Sequence, residues 1–135
     1  MLLEKEEFCF HVSSDMHPGR DLFDTLSDVI PAGKTIHLTS LQALCDPMTS
    51  EDGEPNRLKA ELFWLDEFDG EPVHYPIDIA YTECSFYKEY PEGLGSCLNG
   101  VKFIGTGLGK FVIRRHVEGR MGPQHTHVIV RGHIH

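Results

Sequence analysis

Two stretches in the middle of the chain alternate apolar and polar residues with a period of two, and this alternation constrains the fold more than any other feature. They are residues 58–64 and 73–81. Successive side chains of a β-strand point to opposite faces, so each stretch predicts a strand with one buried side. Asp69-Gly70 between them is a typical hairpin turn pair. We therefore expect an antiparallel hairpin, with a bulge or an open edge at Pro76, which lacks an amide donor.

Weaker strand signals recur along the rest of the chain. Segments rich in β-branched and aromatic residues lie at residues 8–12, 34–45, 101–104, 111–117 and 125–135. In residues 34–45 the apolar side chains change from one face of the strand to the other near Ser40, which indicates a β-bulge. Residues 22–29 have apolar side chains at helical spacing, so we expect a short helix there, with an edge strand as the alternative. The last two segments, joined by a turn at residues 119–122, are expected to form a terminal hairpin.

Seven or eight short strands with hardly any helix define the fold class. We predict an all-β protein, an antiparallel β-sandwich or jelly roll with at most one short helix, formed as a single domain over residues 1–135. The longest apolar runs are far shorter than the ~20 residues that cross a bilayer. Charged residues also occupy the place of a signal peptide's apolar run. We expect no membrane span and, by default, a cytoplasmic protein.

The four cysteines are Cys9, Cys45, Cys84 and Cys97, and no two of them form a C-x-x-C pair. This spacing does not suit a zinc knuckle or a dithiol redox site. Without an export signal we expect reduced, mostly buried thiols, with two disulfides as the alternative.

A glycine-rich segment at residues 105–110, GTGLGK, contains parts of a phosphate-binding loop. Such a loop needs a following helix whose N-terminal amides face the anion, but Phe111 and the residues after it are typical of a strand. The lysine is also not followed by Ser or Thr. We therefore expect a tight turn or a bulge between strands, and no nucleotide binding.

Charge is distributed unevenly along the chain. The net charge is −9, yet residues 101–135 carry six basic residues against Glu118 alone, a net of +5, which leaves −14 on the first hundred residues. An acidic protein does not suit general nucleic-acid binding, which requires a basic surface over the phosphates. The basic end can still bind an anionic ligand, or the acidic part of a neighbouring subunit in an oligomer.

Five of the nine histidines lie in the same C-terminal third. If residues 125–135 form one strand, one side of it carries His125, His127, Arg131, His133 and His135. The usual pKa of histidine is near 6.5, so this side should gain positive charge as the pH falls below neutrality.

The His125-x-His127 pair resembles the beginning of the cupin metal motif, because two imidazoles ~6.6 Å apart along a strand can hold one ion. Cupins have a glutamate a few residues later, whereas residues 128–135 contain no acid. The resemblance implies a metal-dependent enzyme with a divalent transition metal such as zinc, which is our second hypothesis. The pair then needs a third ligand, for which His116 is the nearest candidate in sequence and His37 is another. A solvated or interface strand face is the alternative.

Our leading hypothesis is a non-enzymatic module without a cofactor, which binds or assembles through its basic, histidine-rich C-terminal face. Its partner would be an anionic or glycan-like ligand or a neighbouring subunit. Candidate ligand-binding residues are cations of this face and two loop tyrosines whose rings can stack on sugars: Arg114, Arg115, Arg131, His133, Tyr87 and Tyr90. Candidate metal ligands in the enzyme alternative are His125, His127 and His116.

Overall fold

The computed structural model describes residues 6–16, 22–45, 56–84, 95–98, 101–118 and 124–135. Nine strands lie in these ranges: β1 (Glu6–Met16), β2 (Leu22–Leu26), β3 (Thr35–Cys45), β4 (Asn56–Phe68), β5 (Glu71–Cys84), β6 (Gly95–Cys97), β7 (Lys102–Ile104), β8 (Lys110–Glu118) and β9 (Gln124–Ile134). The described residues form no helix, and thus none long and apolar enough to cross a membrane.

The strands form two antiparallel sheets. In the first sheet the order is β1-β9-β3, and β6 and β7 both pair with the far edge of β3, one after the other. In the second sheet the order is β2-β8-β4-β5. If β6 and β7 are counted as one interrupted strand, this is the eight-stranded arrangement of a jelly roll, in which the chain repeatedly crosses between the sheets. The predicted antiparallel β-sandwich or jelly roll is therefore confirmed.

Strands β4 and β5 form the predicted hairpin. Its turn residues Asp69 and Gly70 have φ angles of 52° and 80°, the left-handed values that a two-residue type I′ turn requires. The register of the pair shifts directly after Leu62, next to Pro76. The expected bulge is thus present, and β5 is also an edge strand of its sheet.

Two predictions from local sequence are wrong, and one is confirmed. Residues 22–26 form an edge strand paired with β8 instead of a helix, because a ladder with a neighbour is more favourable than an isolated helix of two turns. Strands β8 and β9 do not form a terminal hairpin, since they belong to different sheets. The bulge expected near Ser40 is present, as the register between β3 and β9 shifts between Leu38 and Ser40.

The core lies between the two sheets and contains an aromatic cluster. The ring of Trp64 stacks on Phe103 with centroids 4.8 Å apart and meets Phe111 edge-on at 5.0 Å. The glycine-rich turn packs against this cluster, because a Cβ added to Gly109 would lie 2.1 Å from the Trp64 ring. The turn between β7 and β8 thus needs glycine for close packing.

The cysteines differ from the expectation of reduced, mostly buried thiols. Cys45 is buried but disulfide-bonded, and Cys9 is a free thiol at an exposed position of β1. The side chains of Cys84 and Cys97 lie outside the described part of the chain. The prediction of a reduced thiol is therefore wrong for Cys45, since spacing does not show which segments the fold brings together. Cys9 is exposed because its neighbours Phe8 and Phe10 face the core.

Candidate functional site

The outer side of the first sheet carries most of the histidines. Along β9, Thr126, Val128 and Val130 are buried and the side chains between them face outward, as predicted. Strands β1 and β3, which flank β9, add outward-facing histidines of their own. We call this surface the histidine face, and its six imidazoles belong to His11, His37, His125, His127, His133 and His135.

At one end of the histidine face, polar side chains of β1 and β9 are in contact. His11 Nε2 and His127 Nδ1 are 3.4 Å apart, so one ring can donate a hydrogen bond to the other. His125 Nδ1 lies 2.7 Å from Asp15 Oδ1, and His125 Nε2 lies 3.1 Å from Ser13 Oγ. The rings of His125 and His127 meet edge to face with centroids 4.7 Å apart. Both nitrogens of His125 therefore have partners within this cluster.

At the other end, basic side chains lie side by side on neighbouring strands. His133 is opposite His37 of β3, and His37 is opposite Lys102 of β7. Arg131 is exposed two residues before His133 on the same side of β9. His37 also stacks on His135, with ring centroids 5.0 Å apart and an angle of 19° between the planes. We call Arg131, His133, His37 and Lys102 the basic row.

Arg114 does not lie on the histidine face. It faces outward from the second sheet and forms a bidentate ion pair with Asp24, with Nε–Oδ1 and Nη2–Oδ2 distances of 2.8 and 3.0 Å. The hydrogen bonds with Asp24 raise the pKa of Arg114, and those with Arg114 lower the pKa of Asp24. The guanidinium is also 5.1 Å from the centre of the Phe63 ring. Arg114 is thus already paired with an acid.

Arg115 points in the opposite direction and lies between the sheets. It is 4% exposed, and it donates hydrogen bonds to Ser14 Oγ at 2.6 Å and to Thr25 Oγ1 at 3.3 Å. Burial lowers the pKa of its guanidinium. These contacts join β1 to β2, so Arg115 links the two sheets instead of contributing to an outer surface.

His116 is far from the predicted metal pair. It faces outward from the second sheet, where its Nε2 is 3.9 Å from Glu118 Oε1. His125 and His127 face outward from the first sheet. Since sandwiched sheets stack ~10 Å apart, these imidazoles lie on opposite sides of the molecule. Within the described ranges, no group of three or more His, Cys, Asp or Glu is placed to hold a metal ion.

Tyr87 and Tyr90, the predicted stacking residues, lie outside the described residues. Two members of the histidine face were missed by sequence reasoning, His11 and Lys102. The alternation of residues 8–12 assigns His11 to the side opposite the apolar residues. Its partner on β9, however, is 116 positions away in the chain, so the alternation alone does not reveal the contact.

Comparisons with known proteins do not assign a family. No protein-family model and no curated protein sequence matches the chain. Two structures of infectious bursal disease virus match it: the Gt strain structure at 16% identity over 96% of the chain, and the Gx strain structure at 11% identity over 94%, both with a TM-score of 0.42. The chain spans 32% of the length of each matched chain. Identities this low do not extend to function.

Proposed function

We propose that the protein is a non-enzymatic β-sandwich module that binds an anionic partner, or a neighbouring subunit, through the basic row of its histidine face. The supporting observation is the placement of Arg131, His133, His37 and Lys102 on three adjoining strands. Because neighbouring strands are ~4.8 Å apart, the row extends ~10 Å across the sheet. A sulfated or carboxylated glycan can therefore contact several of its cations at once.

The three arginines predicted to bind a ligand differ in whether their guanidinium groups are available at this surface. The planar guanidinium of Arg131 can bind a sulfate or carboxylate through two parallel hydrogen bonds, and its side chain is exposed. The guanidinium of Arg114 is paired with Asp24, and that of Arg115 is buried. Of the ligand-binding residues predicted from the sequence, we therefore keep Arg131 and His133 in the proposal.

Protonation of the imidazoles should control the strength of binding. Imidazoles as a class take up a proton between about pH 7 and pH 5, and this general property is the reason to expect stronger binding of an anion below neutral pH. Among the described residues, further charged or titratable groups at this end of the face are His135, which stacks on His37, and Glu7 and Cys9 of β1, which are opposite His133 and Arg131. Glu7 offsets part of the positive charge. Affinity should rise on acidification and fall with salt, which screens surface charges beyond ~8 Å at 0.15 M.

Heparin is a suitable probe for this proposal. We expect the Arg131→Ala/His133→Ala variant to bind immobilised heparin about 5–10-fold more weakly than the wild type at pH 6, because two exposed charge contacts of about 0.5–0.7 kcal/mol each contribute about 1–1.4 kcal/mol together. Lys59→Ala is the matched control, because Lys59 lies on the outer side of the second sheet, 3.2 Å from Glu61. Equal losses in both variants would show that net charge, and not the basic row, determines binding.

Self-association is tested on the same variants. If a neighbouring subunit is the partner, the mass measured by light scattering should increase between pH 7.5 and 5.5 for the wild type and the Lys59→Ala control. It should stay constant for the Arg131→Ala/His133→Ala variant. A constant mass for the wild type, together with no binding of heparin at either pH, would contradict the proposed function.

A further inference from the structure

We infer that His11 and His127 form a two-histidine binding site for a divalent transition metal at the other end of the histidine face. The site differs from the three metal ligands expected from the sequence, because it joins two strands of the first sheet and does not include His116. It does not depend on the basic row or on the proposed function. Its evidence is the separation and the surroundings of the two rings.

The distance between the two nitrogens fits a shared metal ion. His11 Nε2 and His127 Nδ1 are 3.4 Å apart. In a tetrahedral site with Zn–N bonds of 2.0–2.1 Å, two ligand nitrogens are about 3.3–3.4 Å apart. An ion placed to one side of the line between these atoms would therefore lie at bonding distance from both after small rotations of the rings. The ring centroids of His11 and His127 are 5.6 Å apart and the ring planes are inclined by 30°. The two rings can therefore keep this separation when an ion binds.

The strand pairing holds the two histidines in this position. His127 is opposite Ser13 and His11 is opposite Ile129, so the two rings are diagonal neighbours across one antiparallel ladder. Diagonal side chains of adjacent strands are within reach of each other when they are long or aromatic. The β1–β9 ladder extends on both sides of this pair, and the backbone positions of the two ligands are thus fixed before an ion binds.

His125 supports the pair instead of binding the metal. Its two ring nitrogens contact Asp15 and Ser13, while its ring packs edge to face against His127. This arrangement restricts the orientation of the His127 ring. The inferred site differs from the expectation from sequence, in which His125 and His127 would bind one ion because they are two residues apart on one strand.

The chemistry of the site selects the kind of ion. Imidazole nitrogens suit Zn²⁺, Ni²⁺ and Cu²⁺, with Cu²⁺ the tightest of the three in general. Mg²⁺ and Ca²⁺ prefer oxygen ligands. Across the described residues no third protein ligand is in place, so water would complete the coordination. Catalytic zinc sites have three protein ligands, and the pair is therefore a binding site without an assigned reaction.

Titration calorimetry with ZnCl₂ at pH 7.5, on protein without an affinity tag, tests this inference. We expect the wild type to bind Zn²⁺. The His11→Ala and His127→Ala variants should each bind it more than about 10-fold more weakly, because losing even a residue that only contacts a metal ligand lowers metal affinity by at least about 10-fold. His133→Ala is the matched control from the basic row, and its affinity should equal that of the wild type. MgCl₂ should produce no binding heat with any of these proteins.

Atom-specific evidence comes from imidazole ¹⁵N spectra recorded during the titration. The resonances of His11 Nε2 and His127 Nδ1 should shift with Zn²⁺, and those of His37 and His133 should not. The inference is overturned if the wild type does not bind Zn²⁺, or if a His11→Ala/His127→Ala variant binds it with unchanged affinity. A zinc affinity that depends on His133 would overturn it as well.

Discussion

Gly132 determines how closely β9 approaches β3 directly beneath the basic row. A Cβ added at this buried position would lie 2.1 Å from His37 O, 3.0 Å from His37 C and 3.1 Å from Leu38 Cα. All three atoms belong to the backbone of β3, so an alanine requires the strands to separate by about 1 Å to restore van der Waals distances. Such overpacking costs about 1–3 kcal/mol, and one broken ladder hydrogen bond adds about 1 kcal/mol.

We therefore expect Gly132→Ala to lower the free energy of unfolding by about 2–4 kcal/mol. With an unfolding entropy of ~2.1 cal/mol/K per residue, this lowers the Tm of the 135-residue chain by about 7–14 °C. Circular dichroism during heating measures the change. His133→Ala, at the exposed neighbouring position, is the control and should alter the Tm by less than about 2 °C. An equally small effect of Gly132→Ala would refute the close pairing of β9 with β3.

Three further substitutions test the core and the ion pair. Trp64→Ala should cost about 3–5 kcal/mol in urea unfolding, because the ring lies in the aromatic cluster, and a cost below about 1 kcal/mol would contradict its burial. Asp24→Asn should cost about 0.5–1 kcal/mol at pH 7. Arg114 lowers the pKa of Asp24 below 3.8. The stabilising effect of the pair is therefore complete above that pH and disappears as the pH falls through the lowered pKa, which a series of urea unfolding curves from pH 7 to successively lower pH can show. Arg115→Lys should cost about 1–2 kcal/mol, because an ammonium does not reproduce the forked contacts with two hydroxyls, and it should leave heparin affinity unchanged.

The parts of the fold that follow from local alternation were predictable from the sequence. The β4–β5 hairpin has a period of two, a turn pair suited to positive φ and a proline next to the bulge, and all three features are in the structure. The outward direction of His125 and His127 follows from the same rule. In each case the decisive interaction lies within one strand or one turn.

The remaining features depend on which strands become neighbours. Strands β8 and β9 are adjacent in sequence and have strong strand patterns, but the jelly roll places them in different sheets. This separates His116 from His127 and buries Arg115. The contact between His11 and His127 is formed only because β1 pairs with β9 at opposite ends of the chain. Local patterns fix the side of a strand on which a residue lies, but not the strand beside it.

A backbone NMR titration with a heparin oligosaccharide at pH 6 shows whether the basic row binds an anionic partner. If it does, the largest shifts of amide resonances occur at Lys102, His37, His133 and Arg131, and added salt reverses them. Shifts concentrated on the outer side of the second sheet, around β5 or β8, or no shifts at saturating oligosaccharide, would contradict binding by the basic row.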